Sequence, residues 1–333
     1  MSKITLAHGS GGVLMHKLID SLMIKEFDNR ILRQKKDSAL LKIGKRQIAF
    51  TTDSYVVNPI FFPGGDIGSL AVYGTVNDLS VCGARPLYLS LAFIIEEGFG
   101  AGALERIARS AGTAAKRSGV EIVTGDTKVV EKGSCDKIFI NTSGIGEVYY
   151  ERLSIEEIAP SDAVIISGPV GEHAISVLSS REGMEFKTRI KSDSAPLNNL
   201  IREVIAKRIA VKFMRDPTRG GVGTTLNEIA SQGRFGIALD EKAVPLTAGV
   251  RGACELLGLD PLYLACEGRV IFVVAKSDAS RTVDIIRKNA HGRRAGVIGE
   301  ITREYKGAVY MNTKAGGRRL VEMLSGEQLP RIC

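Results

Sequence analysis

The chain has 333 residues, 44% of them hydrophobic and 25% charged, which predicts a globular protein of about two domains with a large buried core. The net charge of +8 comes from Lys and Arg scattered along the whole chain and Trp is absent, so no base-stacking platform for nucleic acid is visible and attraction for phosphorylated substrates is the better account. No stretch approaches the roughly 18 apolar residues of a membrane span, the opening MSKITLAHGSGG lacks the apolar core of a signal peptide, and a cytoplasmic protein without a membrane partner is expected.

The five cysteines, Cys82, Cys135, Cys254, Cys266 and Cys333, are odd in number and widely spaced, with no CxxC pair. A disulfide framework and a structural zinc site are therefore not expected. In chain order, Val13–Phe27 carries apolar residues at helical spacing. Ala39–Ile43 and Gln47–Thr51 read as strands joined around Gly44, the second ended by Asp53. Residues 58–68 read as a loop, Ser69–Cys82 as a helix, Leu87–Ile95 as a strand, and Ala103–Ser118 as an amphipathic helix stopped at Gly119. Val120–Thr124 and Lys137–Val148 complete an N-terminal domain over residues 1–150.

Residues 151–160 form a polar linker. A second domain over 160–325 opens with the strand Ala163–Ser167, which runs through Gly168 and Gly171 into a helix. Helices are predicted at 197–208, 222–232, 278–289 and 316–324, and strands at 270–275, 295–301 and 308–312. Residues 326–333 lack periodicity and read as a flexible tail.

Five carboxylates sit beside glycine or at predicted strand ends: Asp37, Asp53, Asp78, Asp126 and Asp216. One such Asp is ordinary turn chemistry. Several together suit Mg2+, a hard cation that takes oxygen ligands and bridges phosphate oxygens. The segments Gly9–Gly12 and Gly220–Gly223 each precede a helix, so their amides serve either a tight turn or an anion. Neither is a Walker loop or a dinucleotide fingerprint. Lys128 follows the Gly125-Asp126-Thr127 segment, and Glu267 precedes the apolar strand at 270–275. A carboxylate at the mouth of a buried strand is either structurally paired or a working base.

The chain ends Pro330-Arg331-Ile332-Cys333. A prenylation box needs its Cys fourth from the end, so that reading is excluded. A tail of eight residues spans at most about 26 Å, Pro330 stiffens it and Arg331 favours a thiolate. His16, His173 and His291 lack ligand spacing and read as structural or surface residues.

The set AHGSGG, TTDS, GTVNDLSVCGARP, TGDTKVV, RDPTRGG, ACEG and the final PRIC resembles the HypE family of hydrogenase maturation proteins, from residue 7 to residue 333. The wider superfamily includes aminoimidazole ribonucleotide synthetase, selenophosphate synthetase and thiamine-monophosphate kinase. The resemblance implies a two-domain PurM-like fold, α/β plus α+β with mixed sheets, dimerising through strands of the N-terminal domain. It implies ATP and Mg2+ in a cleft near the dimer interface. Metal contacts would come from Asp37, Asp53, Asp78 and Asp126, and nucleotide contacts from Gly9, Gly11, Gly12, Asp53, Asn77, Asp78, Gly125, Asp126, Thr127, Asp216, Gly220 and Gly221. Cys333 would receive a carbamoyl group from the carbamoyltransferase HypF. Glu267 and Lys128 would then serve ATP-dependent dehydration of that group to a thiocyanate, whose cyano group passes to iron on a HypC–HypD complex. Two other readings compete: a small-molecule kinase or amidine-forming ligase of the same superfamily, and a non-enzymatic basic scaffold. Selenophosphate synthetase is disfavoured, because the glycine segment here holds His8 and no cysteine.

Overall fold

The computed structural model describes residues 3–181, 190–324, 326, 329, 332 and 333. Pro330 and Arg331 lie outside the described residues.

The first sheet contains β1 (Ala39–Ile43), β2 (Arg46–Tyr55), β3 (Ala84–Glu96), β4 (Glu121–Val130) and β5 (Ile138–Val148), in the order β1-β2-β5-β3-β4. All pairs are antiparallel except β3–β4, which α2 (Ala101–Ser118) connects. Alternation decides which side each residue faces. In β2, Ala49, Thr51 and Tyr55 are buried, while Phe50, Thr52 and Ser54 are exposed. The buried side is covered by α1 (Ile67–Val81), in which every residue except Asp78 is buried. A helix apolar on nearly all sides is a core helix, and α1 packs against the sheet, α2 and the second half of the chain. Asp66 caps it by accepting from the Gly68 and Ser69 amides.

The second sheet contains β6 (Ala163–Ile166), β7 (Val211–Arg215), β8 (Gly236–Asp240), β9 (Ile271–Val274), β10 (Gly296–Thr302), β11 (Val309–Asn312) and β12 (Arg318–Val321). Their order is β12-β11-β8-β10-β6-β9-β7, with β8–β11 the one parallel pair among the described strands. The central strands β6 and β9 are buried on both faces. Val164, Ile166, Ile271 and Val273 join one apolar cluster with residues of α5 (Gly221–Gly233). Ile165, Phe272 and Val274 join another with α4 (Asn198–Ala206) and α7 (Ala279–Lys288). Two further helices, α3 (Glu172–Leu178) and α6 (Ala248–Leu257), share a core with the first sheet's helices, and Ile332 belongs to that same cluster.

Several expectations are corrected. The helix expected at 316–324 is the strand β12, because Val321 and Leu320 pair with Val309 and Tyr310 along the sheet edge. Strands β7 and β8 and helix α6 were not anticipated. Asp53 does not end β2, which continues to Tyr55. Strand β4 does not stop at Thr124: it runs straight through Gly125, Asp126 and Thr127, hydrogen-bonded beside β3. Gly125 permits this, since a Cβ there would lie 2.1 Å from the Leu91 carbonyl oxygen.

Candidate active site

Asp37 precedes β1, Asp78 is the one residue of α1 that is only half-buried, and Asp216 follows β7. These three elements converge so that carboxylate oxygens of the three residues lie within 4.8 Å of one another. Arg215 Nε donates to Asp37 Oδ1 at 2.8 Å, and Nη1 donates to Glu228 at 2.5 Å. Thr51 Oγ1 lies 2.9 Å from Asp78 Oδ2. Burial raises the Asp37 carboxyl in spite of Arg215. Burial and then the Asp216 charge hold Asp78 well above the usual carboxylate range. Burial and the Asp37 charge push Asp216 up to about 7. Three carboxylates, of which only Asp37 is paired with the Arg215 guanidinium, form an oxygen donor set that fits a hard divalent cation.

A small cavity of about 30 Å³ opens beside this cluster, lined by Asp53, Tyr55, Asp78, Asp216, Arg219, Glu267 and Cys333 among others. Glu267 is 3% exposed, and its Oε1 has no hydrogen-bond partner among the described residues. Burial first, then the charges of Asp216, Asp193 and Asp53, push its carboxyl up to about 8. The Cys333 thiol is raised well above its ordinary value by burial and by the charge of the Glu267 carboxyl; Arg219 opposes that rise. Arg219 Nη1 also donates to the Gly9 carbonyl at 2.9 Å, which ties the N-terminal glycine segment over the site. A second cavity of about 210 Å³, lined by Gly9, Ser10, Arg219, Gly220, Leu329 and Cys333 among others, runs along the tail.

The structure thus brings together Asp37, Asp53, Asp78, Asp216, Glu267 and Cys333, with Gly9 and Gly220 at the adjoining cavity. The other glycines pack closely against backbone. A Cβ on Gly12 would lie 2.1 Å from the Leu324 carbonyl oxygen, one on Gly11 2.9 Å from that of Arg219, and one on Gly221 2.5 Å from that of Leu262.

Asn77, expected at the nucleotide, lies in the interior as a clamp between segments. It is 1% exposed, its Nδ2 donates to the carbonyls of Ala195 (3.1 Å) and Glu267 (3.3 Å), and its Oδ1 accepts from the Leu197 amide at 2.8 Å. It holds the Glu267 segment against α1, and Asp193 Oδ1 accepts from the Glu267 amide at 3.2 Å.

Asp126, Thr127 and Lys128 do not join the cluster within one chain. Asp53 pairs with Thr142, Thr142 with Leu91, and Leu91 with Gly125, so these four share the helix-covered face. One residue on, Asp126 lies in the row of Ser54, Asn141 and Ala92 on the opposite, open face, and Lys128 shares that face. There Lys128 Nζ lies 3.2 Å from Asp126 Oδ2, and the pair is exposed. The ammonium holds the Asp126 carboxyl below the usual range.

Arg215, Arg219, Tyr55 and Asp193 were not singled out from the sequence. Both arginines flank Asp216 within RDPTRGG, and two cations around an acid at a glycine-rich strand end were the available signal.

Residues 35–148 match the family described as AIR synthase related protein, N-terminal domain, and residues 159–312 match its C-terminal domain. Carbamoyl dehydratase HypE of Cupriavidus necator is 50% identical over 99% of this chain and 95% of its own length. The chain belongs to the AIR synthase related family, on its HypE branch. Carbamoyl dehydratase HypE of Escherichia coli is 41% identical over the full length of both chains. Among solved structures, a HypE in complex with ATP is 48% identical, with a TM-score of 0.83 over 99% of this chain and 100% of that one. The HypE of a HypE–HypF complex is 48% identical, with a TM-score of 0.87 over 92% of this chain and 99% of that one. Thiamine monophosphate kinase from Aquifex aeolicus, at 18% identity and a TM-score of 0.65, shares the fold. Among the described residues no helix is long and apolar enough to cross a membrane.

Proposed function

We propose that this chain dehydrates an S-carboxamide on its own Cys333 to a thiocyanate, using ATP, as the source of a cyano ligand for the iron of [NiFe] hydrogenase. The single observation that carries this reading is the place of Cys333, whose thiol occupies the same small cavity as Glu267 and the Asp53, Asp78 and Asp216 carboxylates. A small-molecule kinase or ligase would need that room for a free substrate, and here the chain's own end fills it.

An amide oxygen is a poor leaving group, and transfer of the γ-phosphoryl group from ATP makes it a good one. The carboxamide nitrogen loses two protons as phosphate leaves, so R–S–CO–NH2 and ATP become R–S–C≡N, ADP and phosphate. Glu267 is the base: its carboxyl is buried, lines the cavity that holds the thiol, and is pushed up to about 8, within reach of a working base. Asp37, Asp78 and Asp216 would hold Mg2+, which neutralises phosphate charge when bound. Arg219, the cation beside Cys333, stands where charge builds on the reacting group.

The open face of the first sheet supports a homodimer. Phe50, Ile145 and Tyr88 form one exposed apolar row across β2, β5 and β3, and β4 is an exposed edge with Val123 and Val129 uncovered. The exposed Asp126–Lys128 pair lies on that same face, so a second copy placed there would meet it. We assign HypF as the carbamoyl donor and a HypC–HypD complex as the cyano acceptor, in the cytoplasm, where the free cysteines suit a reducing medium.

Intact-protein mass spectrometry tests the reading. Incubation with HypF, carbamoyl phosphate and ATP gives a carbamoyl-sized gain on wild type and none on Cys333→Ala, and Mg2+ with ATP then removes one water. No gain on Cys333, with ATP still bound, would move the reading to the kinase or ligase.

A further inference from the structure

The tail end is held at two points besides the thiol. Ile332 is buried at 4% exposure in the apolar cluster that also contains Ala174, Ile175, Leu264 and Ala265. Its carbonyl oxygen lies 2.8 Å from Nε2 of His173, a fully buried residue in the first turn of α3. An apolar side chain in an apolar cluster is weakly specific about depth, because burial is non-directional. A hydrogen bond to the carbonyl immediately before Cys333 is directional, and it sets how far the thiol reaches into the cavity.

The ring's protonation follows from its neighbours. A carbonyl oxygen only accepts, so Nε2 carries the proton. The other nitrogen, Nδ1, lies 2.8 Å from Ser192 Oγ. Ser192 Oγ accepts from the Ser194 amide at 3.0 Å, which leaves its hydroxyl proton free to be donated to Nδ1. The chain of donors is therefore Ser194 amide, Ser192 hydroxyl, His173, Ile332 carbonyl, and it selects the neutral Nε2–H tautomer. Burial lowers the His173 pKa in the same sense. Phe62 meets the ring edge-on at 5.3 Å and fixes its plane. Ser192 is anchored in turn, since its amide donates to the Pro63 carbonyl at 2.7 Å.

We propose that His173 is a positioning residue that latches the C-terminal tail into the cavity by donating to the Ile332 carbonyl, and that Ser192 holds it in the tautomer able to do so. The latch is a property of the folded chain. Its consequence for dehydration rests on the function proposed above: Cys333 must enter to be dehydrated and leave to be carbamoylated, so the latch favours the first step alone.

The test compares His173→Leu, which keeps bulk and removes the donor, with His173→Gln, whose amide can donate from about the same place. The first readout is the rate at which a maleimide labels Cys333, the least buried of the five thiols. Losing a buried hydrogen bond of this kind is expected to raise labelling about tenfold in His173→Leu, with most of the rise reversed in His173→Gln. Ser192→Ala gives a smaller rise in the same direction and guards against misfolding of the Leu variant. The second readout is dehydration of a preformed S-carboxamide, slowed by a similar factor in His173→Leu while carbamoylation by HypF is not slowed. Unchanged labelling in a folded His173→Leu, or no rescue by Gln, would overturn the latch. Labelling needs no turnover, so a wild type that labels as described and forms no thiocyanate would overturn the proposed function and leave the latch standing.

Discussion

The Glu267 carboxyl and the Cys333 thiol line one small cavity, and the charge of the carboxylate adds to burial in raising the thiol well above its ordinary value. A thiol held in its neutral form is a poor nucleophile, so in this position Cys333 is arranged to be acted on rather than to attack. Glu267 is arranged to accept a proton from whatever Cys333 carries.

Replacing Glu267 with Gln keeps the shape and removes the base. Single-turnover dehydration of the preformed S-carboxamide should fall by about 10²–10⁴-fold, the usual contribution of a positioned base. Carbamoylation, which takes place away from Glu267, should stay near the wild-type rate. Mass spectrometry of both steps decides, and retained dehydration would rule out the base role.

The same carboxyl predicts a pH effect on stability. Its folded-state pKa of about 8 lies above its ordinary 4.5, so the stability tied to its proton is fully present below about pH 4.5 and is lost as pH rises through 8. Gln cannot ionise. In the absence of metal and nucleotide, the melting temperature of Glu267→Gln minus that of wild type should therefore grow by about 3 °C or more between pH 5 and pH 9. A difference that stays flat across that range would show that the carboxyl does not titrate as its surroundings dictate.

Asp78 and Asp216 predict a trade between stability and metal binding. Neutralising either relieves repulsion within the cluster, so metal-free Asp216→Asn should melt higher than metal-free wild type. At a Mg2+ concentration of 100 Kd a single site stabilises a fold by about 2.7 kcal/mol. Wild type should show a gain of that order and Asp216→Asn most of it lost, read by melting curves with and without Mg2+. Equal Mg2+ gains in both proteins would remove the cluster as the metal site.

Much of the candidate site is legible in the sequence, and the reason is local. Asp53, Asp216 and Glu267 stand on or beside strands next to glycine or apolar runs, settings in which a carboxylate is exposed to a cleft. Asn77 adjoins Asp78 in the sequence but not in facing. Neighbouring residues of a helix point about 100° apart, so when Asp78 faces the cleft Asn77 faces the interior, where its amide is used by three backbone groups. Lys128 and Asp126 stand apart from the cluster within one chain for a different reason. Their face depends on strand register, and register is set by pairing partners distant in sequence. His173 was invisible because its partner is the carbonyl of a tail residue 159 positions away. The β12 strand shows the same limit, since its edge pairing with β11 decides its state.

The face parity of β4 gives the last prediction. Within one chain Lys128 lies on the open face and Asp53 on the covered one, so the dehydration role that the family resemblance implies for Lys128 calls for a second copy in the proposed homodimer. Lys128→Ala and Glu267→Gln should each dehydrate poorly alone. Mixed and allowed to exchange subunits, half of the dimers become heterodimers. In each, the Lys128→Ala chain supplies Glu267 and Cys333 while the Glu267→Gln chain supplies Lys128, which restores one of two sites. Activity should recover to about a quarter of wild type, by this random-pairing argument. Dehydration of carbamoylated Lys128→Ala chains, counted by mass spectrometry before and after mixing, distinguishes the cases. If Lys128 acts within its own chain, no heterodimer contains an intact site, and mixing restores nothing.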